Sequence, residues 1–113
     1  MANEKDLENI CLDWLNKNFA FFFKYNSVGI YDAKAKAFRK KTNFDIKGVS
    51  DSLGIYKGKF IAIEFKIKPN KPSDEQAAFI NKINREGGFA RCCYSLDDVK
   101  EFVNEIRIKT EQS

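Results

Sequence analysis

The sequence predicts an α/β domain in which helices pack on one central sheet. Three observations carry that prediction. Apolar side chains fall at helical spacing near the N-terminus and again after Ser73, and in short strand-like runs between. Glycine and proline punctuate the chain at Lys57-Gly58, Pro69, Pro72 and Gly87-Gly88. The resulting order is helix, three or more strands, helix, strand, helix, which suits helices layered on a shared sheet. At 113 residues the length matches one domain, so residues 1–113 are expected to fold as a single unit.

The elements follow in order. Residues 4–18 carry Leu7, Ile10, Cys11, Trp14 and Leu15 on one helical stripe, and Asn18 is a natural stop. Residues 19–25, rich in phenylalanine, read as a buried strand. Residues 26–47 are mixed and basic and read as a hairpin or long loop, with Lys34, Lys36, Arg39, Lys40, Lys41 and Lys47 interleaved by Tyr31 and Phe38. Residues 51–56 and 59–67 are two strands around Lys57-Gly58, a two-residue turn with glycine second. Ser73 opens a helix that runs to about Glu86 and stops at Gly87-Gly88. Residues 89–94 form a strand, and Ser95 with Asp98 caps a last helix to about Lys109.

Composition removes several kinds of function. The chain contains no histidine, which excludes histidine nucleophile triads, histidine acid–base chemistry and histidine metal ligation. Carboxylates and lysines are left to do any chemistry, and carboxylates favour a hard ion such as Mg²⁺ or Mn²⁺. Cys11, Cys92 and Cys93 lack metal-site spacing and read as buried reduced thiols. The net charge of +4 is compatible with a polyanionic partner. No apolar run approaches the roughly 20 residues a bilayer crossing needs. The polar start, Met-Ala-Asn-Glu-Lys-Asp, is no signal peptide, so a cytoplasmic protein without a membrane partner is expected.

The hairpin then places the chemistry. With Lys57 and Gly58 as turn residues, Tyr56 pairs with Lys59, and counting outward sets Asp51 opposite Glu64. Opposed residues share a face, with Cβ atoms roughly 5 Å apart. Lys66, two residues beyond Glu64, shares that face as well. The strand around them is apolar on both faces, as in a central buried strand. Two adjacent carboxylates raise each other's pKa, and a divalent cation between them removes the repulsion. Phosphodiester hydrolysis uses such an ion, and Lys66 could orient a water or neutralise charge developing on the phosphate. Glu-x-Lys alone also describes an ordinary charged pair at a sheet margin; Asp51 opposite is what distinguishes this one.

Asp51 followed by Glu64-Phe65-Lys66 resembles the PD-(D/E)XK nuclease signature, with Ser50 where proline is usual. The wider context is similar to the VRR-NUC family of that superfamily. The similarity rests on Glu4-Lys-Asp-Leu-Glu, Lys47-Gly-Val-Ser-Asp51, Phe60-Ile-Ala-Ile-Glu-Phe-Lys66, and Ser73-Asp-Glu-Gln76 running to Gly87-Gly88. The resemblance implies a restriction-endonuclease-like mixed sheet flanked by helices. It implies metal held by Asp51, Glu64 and the Phe65 backbone carbonyl, and a catalytic set of Asp51, Glu64, Lys66, Gln76 and Glu4. It also implies a homodimer acting on branched DNA, in the manner of phage-type Holliday-junction resolvases. Duplex or flap cleavage by the same chemistry, and a non-catalytic nucleic-acid-binding module, are the competing readings.

Three further sets of residues are weighed on physical grounds. Gln76 lies at the centre of the Phe79, Ile80 and Ile83 stripe and so faces the sheet. Ser73-x-x-Gln76 is equally a capping box. On the first helix Glu4 lies about 50° from the apolar stripe and Glu8 about 90°, so Glu4 is the better-placed acid, although either serves as a solvated glutamate near a helix start. Lys68 and Lys71 follow the Glu-x-Lys strand and, with Lys47, are candidate phosphate contacts. Eleven phenylalanines and a tryptophan leave apolar surface for a dimer, through residues 26–47 or the C-terminal helix.

Overall fold

A computed structural model describes residues 3–25, 30–32, 37–39 and 46–112. Three helices flank a mixed sheet of four strands: α1 (Glu4–Asn18), β1 (Phe21–Lys24), β4 (Ser52–Tyr56), β5 (Lys59–Phe65), α2 (Asp74–Arg85), β6 (Phe89–Cys93) and α3 (Leu96–Glu111). Between β1 and β4, β2 (Ile30–Asp32) and β3 (Ala37–Arg39) pair antiparallel as a separate hairpin. The basic residues Lys34, Lys36, Lys40 and Lys41 of the expected hairpin lie outside the described residues. The main sheet runs β1-β4-β5-β6, antiparallel except for the parallel pair β5–β6. That parallel step needs a crossover, and α2 supplies it.

Each face of the sheet has its own helices. Ile61, Ile63, Phe65 and Cys93 meet α1 and α3, burying Leu7, Cys11 and Leu15 against Val99, Phe102, Val103 and Ile106. Leu53, Ala62 and Ala90 point the other way, toward Phe79, Ile80 and Ile83 of α2. Strand β5 is therefore central and fully enclosed over Ile61–Phe65, as its unbroken apolar run predicts.

The terminators act as the sequence predicts. Lys57 and Gly58 have φ of 48° and 80°, the pair of positive values that a tight turn matched to strand twist requires. Ser73 accepts from the Gln76 N–H at 3.1 Å and Gln76 Oε1 accepts from the Ser73 N–H at 2.8 Å, a reciprocal cap. At α3, Ser95 accepts from the Asp98 N–H at 3.1 Å, while Asp98 reaches one residue further back, to the Tyr94 N–H.

Two expectations need correction. Ile10 is 53% exposed, because the buried stripe of α1 is the narrower set Leu7, Cys11 and Leu15, with Trp14 partly buried at its side. The phenylalanine run is not a buried strand: β1 is an edge strand on which only Phe22 is enclosed, with Phe21 and Phe23 at 64% and 46% exposure. Phe22 fits because Gly54 opposite has no Cβ; one there would sit 2.7 Å from the ring. The outward N–H and C=O of Phe22 bond to Asn16 of α1, and those of Ala90 on β6 bond to Asn84 of α2. Both sheet edges are thereby partly closed to further strands.

Candidate functional site

The β4–β5 ladder ends at Ser52↔Ile63, so the next row brings Asp51 beside Glu64, as the hairpin count predicts. Asp51 stands just outside β4, and its Oδ2 accepts from the Phe65 N–H at 3.0 Å. That bond satisfies the end of β5 and fixes the carboxylate against it. Glu64 is 1% exposed, although nothing about its strand position requires an acid there. Lys66 Nζ lies 3.8 Å from Glu64 Oε2, beyond hydrogen-bonding reach but close enough for attraction. Gln76 Nε2 donates to the same oxygen at 3.3 Å. The glutamine thus does both things the sequence allowed: one end caps α2 and the other touches the buried acid.

The electrostatics follow from this geometry. Burial pushes the Glu64 carboxyl from its ordinary 4.5 to about 8, and the neighbouring Asp51 carboxylate adds to the rise. The Lys66 ammonium opposes the shift, and a small contribution from Glu4 reinforces it. Glu64 Oε1 has no hydrogen-bond partner, and neither does the buried Ser50 Oγ. An enclosed carboxylate with an idle oxygen beside a second carboxylate suits a cation. Among the described residues no three cysteine, aspartate or glutamate side chains cluster closely enough to hold a metal. Asp51 and Glu64 are two, so backbone and solvent oxygens would have to complete a coordination shell.

The other predicted residues are placed as follows. Glu4, three residues before Leu7, continues the buried stripe of α1 and is close enough for Glu64 to feel its charge. Glu8 is committed elsewhere, accepting from Ser52 Oγ at 3.2 Å and pairing with Lys24 at 3.4 Å. Lys68 lies over the Tyr94 ring, and Lys71 is exposed just beyond. Lys47 lines a cavity of about 380 Å³ along the flank of α2 with Ile46, Glu75 and Phe79, and neither Asp51 nor Glu64 lines it.

Two residues with a part in the site escaped the sequence reading. Cys92, expected to be buried, is half-exposed and stands beside Glu64 in the parallel register; burial raises its thiol pKa and the charge of Glu64 adds to this. Its place depends on the β5–β6 register, which a crossover of more than twenty residues sets and no local pattern reveals. Gly48 has φ +79°, and a Cβ there would lie 2.4 Å from the Glu75 carbonyl and 2.6 Å from the Gln76 nitrogen. It lets the chain entering Asp51 rest on the first turn of α2. Gly48 entered the sequence reading only within Lys47-Gly-Val-Ser-Asp51, and its contact with α2 was not visible there.

No protein-family model matches this chain, and no curated protein matches it. Among the described residues no helix is long and apolar enough to cross a membrane.

Proposed function

We propose that the chain is a divalent-metal-dependent nuclease of restriction-endonuclease-like fold that hydrolyses phosphodiesters in branched DNA. One observation carries the reading: Glu64 is buried beside Asp51 with Oε1 unpartnered and Lys66 3.8 Å from its other oxygen. A structural carboxylate would be matched by donors on both oxygens. This one is left half-matched on the face that also holds Asp51.

Asp51 and Glu64, with the Phe65 carbonyl, would hold Mg²⁺ or Mn²⁺, which supplies positive charge at a scissile phosphate and lowers the pKa of a water. The chain's own groups do the remainder. The Phe65 N–H holds Asp51, and Gln76 holds Glu64, so neither carboxylate needs to reorganise. Lys66 is mostly enclosed, with 16% of its side chain exposed, and is positioned to orient the attacking water or to neutralise charge on the phosphate. Glu4 adds negative charge at the margin of the same cluster.

The choice of branched DNA, with a four-way junction as the leading substrate, rests on the resemblance to stand-alone VRR-NUC proteins. So does a homodimer, which matches a junction that must be cut on two strands. Four-way junction, flap, duplex and single strand are to be incubated with Mg²⁺, Mn²⁺ or EDTA and resolved on a gel. Metal-dependent paired nicks in the junction are expected. Cutting that persists undiminished in EDTA would overturn the mechanism, and equal nicking of duplex and junction would overturn the substrate.

A further inference from the structure

The face that carries Asp51 and Glu64 is only half covered. Helix α2 packs over β5, β6 and Leu53 of β4, leaving β1 and the Ile55 end of β4 open on that side among the described residues. Three cross-strand rows lie along this face. Phe21, Ile55 and Phe60 form one, Phe23, Leu53 and Ala62 the next, and Asp51 and Glu64 the third. Tyr25 joins the third row through its N–H bond to the Asp51 carbonyl at 2.8 Å. Phe21, Ile55 and Phe60 are 64%, 53% and 43% exposed. The Phe21 and Phe23 rings lie 5.7 Å apart and make one aromatic shelf. Solitary exposed apolar residues need no explanation, but a contiguous row leading to a charged cluster does.

We propose that this shelf binds the unpaired bases of a DNA strand whose phosphate lies at Asp51 and Glu64. The inference rests on the nuclease reading and narrows its substrate to DNA with single-stranded character beside the cleaved bond. Because α2 closes one flank of the catalytic face, a strand leaving it sideways crosses β4 and β1. Aromatic rings accept any base by stacking, whereas a duplex keeps its base faces hidden. A cation stands at the cleavage end of the path, Lys66 in the cluster. A second copy adding a strand to β1 is disfavoured, since the outward groups of Phe22 are taken by Asn16.

The test is fluorescence anisotropy in EDTA, where no cleavage occurs, with a labelled oligothymidylate and a labelled duplex. The full chain is compared with Phe21→Ser/Phe23→Ser and with Phe21→Trp/Phe23→Trp. The serine pair is expected to weaken oligothymidylate binding by about tenfold to a hundredfold and to leave duplex binding unchanged. The tryptophan pair should retain affinity. Circular dichroism checks folding; if the serine pair unfolds, the single Phe21→Ser variant takes its place. Unchanged oligothymidylate affinity, or equal loss on both probes, would overturn the proposal. So would a change from dimer to monomer by light scattering with oligothymidylate binding retained, which would assign the shelf to a second copy. Wild-type protein that binds in this assay but cuts no DNA with any metal would remove the nuclease reading while leaving the base-binding shelf.

Discussion

Glu64→Gln is expected to make the metal-free protein more stable above pH 7. In the folded chain the Glu64 carboxyl ionises at about 8, against about 4.5 for an unhindered glutamate. A raised folded pKa means the native state holds a proton that the unfolded chain has released. The associated stability is full below about 4.5, declines as pH rises, and is lost once pH passes about 8. The limiting size is roughly 5 kcal/mol, reduced to a few kcal/mol as water and side chains relax around the charge. Glutamine keeps the shape, offers its carbonyl to Gln76 and an N–H to Asp51, and removes the titration. Urea unfolding from pH 5 to 9 in EDTA should therefore show a falling curve for wild type and a flatter one for the variant, crossing so that the variant leads at high pH. Adding Mg²⁺ or Mn²⁺ at pH 8 should stabilise wild type more than the variant. Parallel pH curves, or equal metal-induced stabilisation, would refute the argument from the buried unpartnered carboxylate.

Four other outcomes follow from the same geometry. Lys66→Ala should reduce cleavage by at least about a hundredfold while calorimetric Mn²⁺ affinity stays near wild type, whereas Asp51→Asn should weaken both. Gly48→Ala should cost roughly 2 to 5 kcal/mol in urea unfolding, because a positive φ and a clash with the backbone of α2 act together. Gly58→Ala should cost less than Gly48→Ala in the same measurement, since Gly58 has a similar φ of +80° but nothing near its absent Cβ. Glu4→Gln should lower cleavage more than Glu8→Gln does, and the reverse order would shift the acidic role to Glu8.

Much of this was legible because the relevant interactions are short in sequence. The turn at Lys57-Gly58 sets the β4–β5 register, and that register alone brings Asp51 to Glu64. Ser73 and Gln76 announce α2 by spacing, and the apolar stripe after them says which way Gln76 faces. What escaped depends on distant contacts. Phenylalanine content predicts burial but cannot say that β1 is an edge strand with one face left open. Cys92 is placed by the parallel β5–β6 pairing, and Gly48 by how the loop before β4 settles on α2. Glu8 is engaged by Lys24 of β1 and Ser52 of β4, contacts that its position on the helical wheel does not reveal.

The site and the scaffold share their hydrogen bonds, which bears on why Glu64 is strained at all. Asp51 secures the end of β5 through Phe65, and Gln76 caps α2 with one end while touching Glu64 with the other. The contacts to Phe65 and to Ser73 each satisfy a backbone N–H that would otherwise be left open, so these two positions would be retained for folding even without chemistry. Glu64 is different. It makes no bond to the backbone, one oxygen is unpartnered, and its ammonium neighbour stands outside hydrogen-bonding distance. Glutamine would serve the fold better there, yet the chain places an ionisable group in its most enclosed strand. A residue that lowers stability where a neutral isostere would raise it is best explained by a ligand from outside the chain. On the proposed reading that ligand is a cation held by Asp51 and Glu64, and binding it would turn the cost of Glu64 into affinity.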